Sequence, residues 1–125
     1  MHTALDLYEA VRAHFPAISE RADRDHMKRT GEEKSNESPY AWFESLANAL
    51  GDEVRQDVAF AVHRPLFLFI DGALSRANED MGKCIDVAFV ENLFWSVPSA
   101  KAAPYWKGLP PRLKKLYLDF HGREP

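Results

Sequence analysis

The stretch Pro65-Leu66-Phe67-Leu68-Phe69-Ile70-Asp71-Gly72-Ala73-Leu74-Ser75-Arg76-Ala77 decides the fold class, because its first half suits two structures. Leu66 to Ile70 is a continuous apolar run that fits a buried β-strand, and Asp71-Gly72 would then turn the chain back. Ala73 to Ala77 makes a poor return strand. Leu66, Phe67, Ile70, Leu74 and Ala77 instead recur at helical spacing, and Pro65 is suited to the first position of a helix. The segment therefore reads as a helix that starts at Pro65. Its apolar run is also far short of the roughly 20 residues needed to cross a bilayer.

Moving outward, the other segments read the same way. Thr3 caps a first helix over about 3–14, with Ala4, Leu7 or Tyr8, Val11 and Phe15 on one face. Ser38-Pro39 starts another whose face is Phe43, Leu46, Ala47 and Leu50, and Gly51-Asp52 is expected to stop it, Asp52 capping the next. That next helix, with Val54, Val58 and Ala61 or Val62, is expected to end at Arg64, because the residue before a proline avoids the helical region. After a turn at Asn78 to Gly82, Ile85 to Val97 is apolar nearly all round and is expected to form a central helix closed by Pro98 and Ser99. Pro104 to Gly108 reads as a short helical turn. Pro110-Pro111 opens a last helix, with Leu113, Leu116, Tyr117 and Phe120 inward and Gly122 at its C-terminal stop. The sum is an all-α single domain of six to seven helices, either an irregular bundle or a short stack of helical hairpins.

Residues 19–38 depart from this pattern. Met27 is the only large apolar residue among many charges, so the segment is expected to be mobile and unable to build a core. Glu20 with Arg24 and Asp25 with Arg29 have the i,i+4 spacing of a solvated helix, and Gly31 to Ser38 reads as loop.

The 125 residues allow one domain, and 46% hydrophobic residues supply a core. A net charge of −3 excludes a strongly basic phosphate-collecting chain. The charge is uneven: residues 1–62 hold seven Lys/Arg against twelve Asp/Glu, and residues 63–125 hold nine against seven. The N-terminal segment has acids where a secretory signal needs an unbroken apolar run, and a lone Cys84 makes no internal disulfide. Both features point to a cytoplasmic protein.

Chemical signatures are sparse. His2, His14, His26, His63 and His121 include no pair three or four apart, so no metal site is expected, and no glycine-rich nucleotide loop or other cofactor motif is present. Cys84, at the edge of the most apolar segment, reads as a small buried hydrophobe. Asp71, Asp86, Glu91 and Asn92 lie within apolar segments, where they satisfy hydrogen bonds or pair catalytically, and the alternative reading is a small helical enzyme or ligand-binding domain with a pocket near Cys84, Asp86, Glu91 and His63 or His121. Lys101, Lys107, Arg112, Lys114 and Lys115 near Tyr105 and Trp106 have the residue types of a nucleic-acid contact, yet fit the outside of an amphipathic helix equally well. In an acidic chain nucleic acid is the weaker reading. The acids Glu44, Asp52, Glu53, Asp57, Glu79 and Asp80 are expected to form a surface that steers a basic partner, with Trp42, Trp106, Tyr40 and Tyr105 as candidate anchors.

Lys83 to Leu93, preceded by Phe69-Ile70-Asp71-Gly72-Ala73-Leu74, resembles a helix pair in small, acidic, all-helical bacterial proteins, in which a V-x-F-x-E-N-L segment (here Val87, Phe89, Glu91, Asn92, Leu93) follows an acidic turn. Some of those proteins are similar to immunity proteins encoded beside polymorphic toxins. The resemblance implies a structural role for this helix and no catalytic group. It implies a protein that neutralises a toxin by direct binding; the chain is further expected to be monomeric when unbound and, from its short apolar runs, without membrane association. Such a protein needs a complementary surface and no reaction centre.

Overall fold

A computed structural model describes residues 1–31 and 38–125, and among these every regular element is helical. The seven α-helices are α1 (Ala4–His14), α2 (Pro16–Thr30), α3 (Pro39–Arg55), α4 (Phe60–Ser75), α5 (Glu79–Lys83), α6 (Ser99–Gly108) and α7 (Pro111–His121). A π-helical segment, Cys84–Phe89, and a 3-10 turn, Val90–Asn92, continue α5 without a break. The chain is an all-α bundle, and the 66–70 run is helical.

Local sequence accounts for most helix ends. Thr3 accepts a hydrogen bond from the Asp6 amide at 3.0 Å while the Asp6 carboxylate receives the Thr3 amide at 3.1 Å, a reciprocal cap that fixes the start of α1. Phe15 alone joins α1 to α2, because Pro16 bars it from helical backbone angles and supplies the first residue of α2. Gly31 and Gly122 end α2 and α7 with φ of 73° and 72°, a region open to glycine at no steric cost.

Five expectations change. Residues 19–30 do not fail to pack: they are the body of α2, which lies along α3 over a longer interface than any other helix pair shares. Its buried residues include Ser19, Ala22 and His26, small or polar groups that let two helices approach closely without large apolar side chains. The expected loop at 32–37 lies outside the described residues. Gly51-Asp52 does not stop α3, which runs on to Arg55; a β-carbon on the buried Gly51 would meet only Val97 and Arg55 at ordinary contact distances, so the helix passes without strain. Pro65 does not start a helix but sits inside α4. Pro65 and Ala61 are both exposed, so the carbonyl that loses its helical donor lies where solvent reaches it. Asn78 to Gly82 is no open turn: Asn78 accepts from the Met81 amide at 3.1 Å and starts α5. Pro98 precedes a full ten-residue α6 that contains the expected 104–108 turn.

The centre also moves. α3 buries ten of its residues and touches α1, α2, α6 and the segment 84–92, so it, rather than 85–97, is the axis of the core. Its small residues Ala47, Ala49 and Gly51 permit packing on several sides. Phe43 and Leu46 of α3 have no measurable exposure, and Phe89, which packs on Phe43 edge-on and on Phe67, is buried as completely. The helical path from α5 ends at Asn92, because Leu93 is extended and Phe94 has φ of 62°. At the far end Phe120, expected inward, is exposed, while Leu113 and Tyr117 carry the inner face of α7.

Candidate functional site

Of the six acidic residues named from sequence, Glu53 is buried, Glu44 is half-buried, and Asp52, Asp57, Glu79 and Asp80 are exposed. Glu53 is buried and cannot steer a partner: the His63 Nε2 donates to its Oε1 at 2.5 Å, and Arg21 Nη1 holds Oε2 at 3.0 Å. Asp52 accepts from Arg55 on the next turn of α3. Glu44 pairs with Arg29 at 3.3 Å. Asp57, at φ of 62°, makes the α3–α4 joint and receives Lys101 Nζ at 2.8 Å. Asp80 takes the Ala4 amide at 2.7 Å and the Tyr40 hydroxyl at 3.1 Å, placing a carboxylate at the positive end of α1. Glu79 is exposed. Most of these acids are paired with spatial neighbours, which a linear count of charges cannot show.

Trp42 is no anchor either. It has 0% exposure, donates its indole N–H to Asp23 Oδ1 at 2.8 Å, and meets Tyr8 and Phe43 edge-on. Arg12 Nη1 reaches the same Asp23 oxygen at 2.6 Å, so one carboxylate ties α1, α2 and α3 together. Tyr105 is buried and donates to the Val58 carbonyl at 2.8 Å. Trp106 is half-buried, packed on Tyr117 with Lys114 over its ring. Among the basic residues of 101–115, Lys101, Arg112 and Lys115 are occupied by Asp57, Asp71 and Asp119.

The residues of the alternative site are placed as follows. Cys84 is fully buried, and burial pushes its thiol up to about 12, which keeps it protonated and a poor nucleophile at neutral pH. Burial raises the Asp86 and Glu91 carboxyls, with Asp119 adding to the first and Asp86 to the second, while His121 pulls Glu91 down. The His121 Nε2 donates to the Glu91 carbonyl at 3.1 Å, and Asn92 donates to the Ala88 carbonyl at 2.8 Å. Among the described residues no group of three or more His, Cys, Asp or Glu is placed to hold a metal ion.

The sequence reading missed Trp95, the most exposed large apolar residue at 73%. Phe94 at φ 62° and Ser96 at φ 55° flank it in left-handed backbone, which costs of order 1–3 kcal/mol at each non-glycine position. Three contacts hold the turn: Val97 N–H donates to the Phe94 carbonyl at 3.1 Å, Phe94 is buried edge-on against Tyr117, and Arg55 Nη1 donates to the Trp95 carbonyl at 3.1 Å. Burial of Phe94 and the Arg55 bond offset the strain, and the consequence is an indole pushed into solvent. Trp95 borders a groove of about 430 Å³ shared with Asn48, Asp52, Arg55 and Asn92. A second hollow, of about 270 Å³ between α2 and α3, is lined by Arg21, Arg24 and Lys28 and shares Asp25 and Asp52 with the first. Pro98 was the available signal: Val97 before it is biased away from helix, so the turn carrying Trp95 begins earlier than apolarity suggests.

Fold and surface together define an all-helical protein with a filled aromatic core, a buried and protonated thiol, and a strained turn presenting tryptophan beside a charged groove. The chain belongs to the DUF7674 family, a domain of unknown function whose family model matches residues 8–122. No curated protein and no solved structure matches it.

Proposed function

We propose that this protein acts by binding another protein, with Trp95 as the anchor of the contact. The observation that carries the reading is the turn at 94–96, where two non-glycine residues are held in left-handed backbone and the side chain between them is exposed. Tryptophan is among the residues most enriched at energetic centres of interfaces, and strain maintained by surrounding contacts marks a position with a task. The finer reading rests on the resemblance of residues 69–93 to immunity-type proteins. In it the partner is a toxin, neutralised by direct occupancy in the cytoplasm. No helix among the described residues is long and apolar enough to cross a membrane.

Co-expression with the protein encoded by the adjacent gene tests both levels. Growth should be restored by this chain, and Trp95→Ala should weaken capture of that protein by about 30-fold, the effect of losing an anchor worth about 2 kcal/mol. A neighbour that is harmless, or equally toxic with this protein present, removes the immunity reading. A partner captured equally well by the Trp95→Ala protein removes Trp95 as the anchor.

A further inference from the structure

The stripe Arg21, Arg24, Lys28 runs along one face of α2 at helical spacing and lines the hollow that opens toward Trp95. Its charges are not equally compensated. Arg21 is committed to Glu53 at 3.0 Å, Asp25 to Arg29 at 3.0 Å, and Asp52 to Arg55. Among the described residues no carboxylate pairs with Arg24 or Lys28, and both are exposed. The i,i+4 pairing of Glu20 with Arg24 that the sequence invites is not formed, although the equivalent Asp25–Arg29 pair is. Like charges four residues apart weaken a helix, and an external anion relieves that repulsion. Trp95, the most exposed large apolar residue, borders the adjoining groove, which shares Asp25 and Asp52 with this hollow.

We propose that the groove between α2 and the Trp95 turn receives an acidic protein segment, its carboxylates on Arg24 and Lys28 and an apolar side chain on the Trp95 indole. This inference rests on the binding function proposed above and reverses the partner charge expected from sequence. A protein segment suits the groove better than a nucleic acid does. Asp25 and Asp52 form the wall between the two hollows and would repel an unbroken row of phosphates, whereas a peptide can place N–H donors there.

The test uses the full chain at low ionic strength with three fluorescein-labelled probes. They are a 14-residue Gly-Ser peptide carrying two spaced Glu-Asp pairs on one side of a single Phe, the same peptide with Lys for every acid, and an oligo-dT of equal length. The acidic peptide should bind and shield Trp95 from iodide quenching, while the Lys peptide should not bind. Arg24→Glu with Lys28→Glu should weaken the acidic peptide at least tenfold, as should Trp95→Ala, with unchanged circular dichroism. If the double reversal perturbs folding, Arg24→Gln with Lys28→Gln replaces it and should weaken binding in the same direction. Failure of the acidic peptide to bind, undiminished binding by the folded charge variants, or equal affinity for oligo-dT would overturn the proposal. Partner capture that needs Trp95 but tolerates loss of both cations would leave the binding function standing and remove this inference alone.

Discussion

Replacing Trp42 by Phe should show that this tryptophan belongs to the core, contrary to its sequence-level reading as a contact residue. The indole, itself without exposure, donates its N–H at 2.8 Å to the Asp23 carboxylate, which is partly exposed. A hydrogen bond to a charged group contributes about 1.5–3 kcal/mol, and Phe cannot make it. The smaller ring also leaves a hollow against Tyr8 and Phe43, worth roughly 1 kcal/mol at about 24 cal/mol per Å³. The expected loss is about 3 kcal/mol. At about 2.1 cal/mol/K of unfolding entropy per residue, that lowers Tm by about 10 °C for a chain of this length. The specific part is the coupling to Asp23. In an Asp23→Asn background the acceptor is neutral and Arg12 has lost its ion-pair partner, so the same tryptophan substitution should cost about 1 kcal/mol less. Calorimetry on the four proteins of the cycle measures both quantities. A Tm shift below about 3 °C, or an identical shift in both backgrounds, would refute the claim that Asp23 joins three helices through this indole.

Gly108→Ala should destabilise by about 1–3 kcal/mol in the same calorimetric assay, because the new β-carbon would lie 2.3 Å from Phe60 Cε2, in a ring already packed on Phe67 and Tyr105. Asp86→Asn should raise Tm at pH 7. Burial, then Asp119, holds the Asp86 carboxyl above its ordinary 3.8, so the stability linked to its proton is full below that value and is lost as pH rises through the folded value. The gain from Asn should therefore fade on acidification below 3.8, and a pH-independent gain would contradict the assignment. Cys84 should react with an aromatic disulfide only as fast as the core opens; rapid labelling of the native protein at pH 7 would mean that the thiol is neither buried nor held protonated.

The helical class, the cap at Thr3, the proline starts at Pro39 and Pro111 and the glycine stop at Gly122 were legible because each depends on residues within a turn of one another. Errors arose where a local breaker met a favourable environment. Gly51 stays helical because it lies buried within α3, whose packing holds the backbone on both sides of it, and Pro65 because its orphaned carbonyl is exposed. Residues 19–30 pack despite their charge, since Ser19 and Ala22 need little apolar area to admit a neighbouring helix. The candidate surface was the least legible part. Charges were counted along the chain, but whether Asp52 or Glu53 is available depends on where Arg55, Arg21 and His63 arrive in space.

By itself, then, the sequence determined an all-α chain, the boundaries of its first and last helices, the start at Pro39, and a single cysteine placed where it packs. Periodicity and capping are short-range properties, so they survive without knowledge of the fold. Only the tertiary structure decided which tryptophan is buried and which is displayed. Trp42 lies at the meeting of three helices, whereas burial of Phe94 and the reach of Arg55 turn the chain at 94–96 and leave Trp95 outside. The Arg55 contact joins residues forty positions apart, a separation that no local pattern encodes.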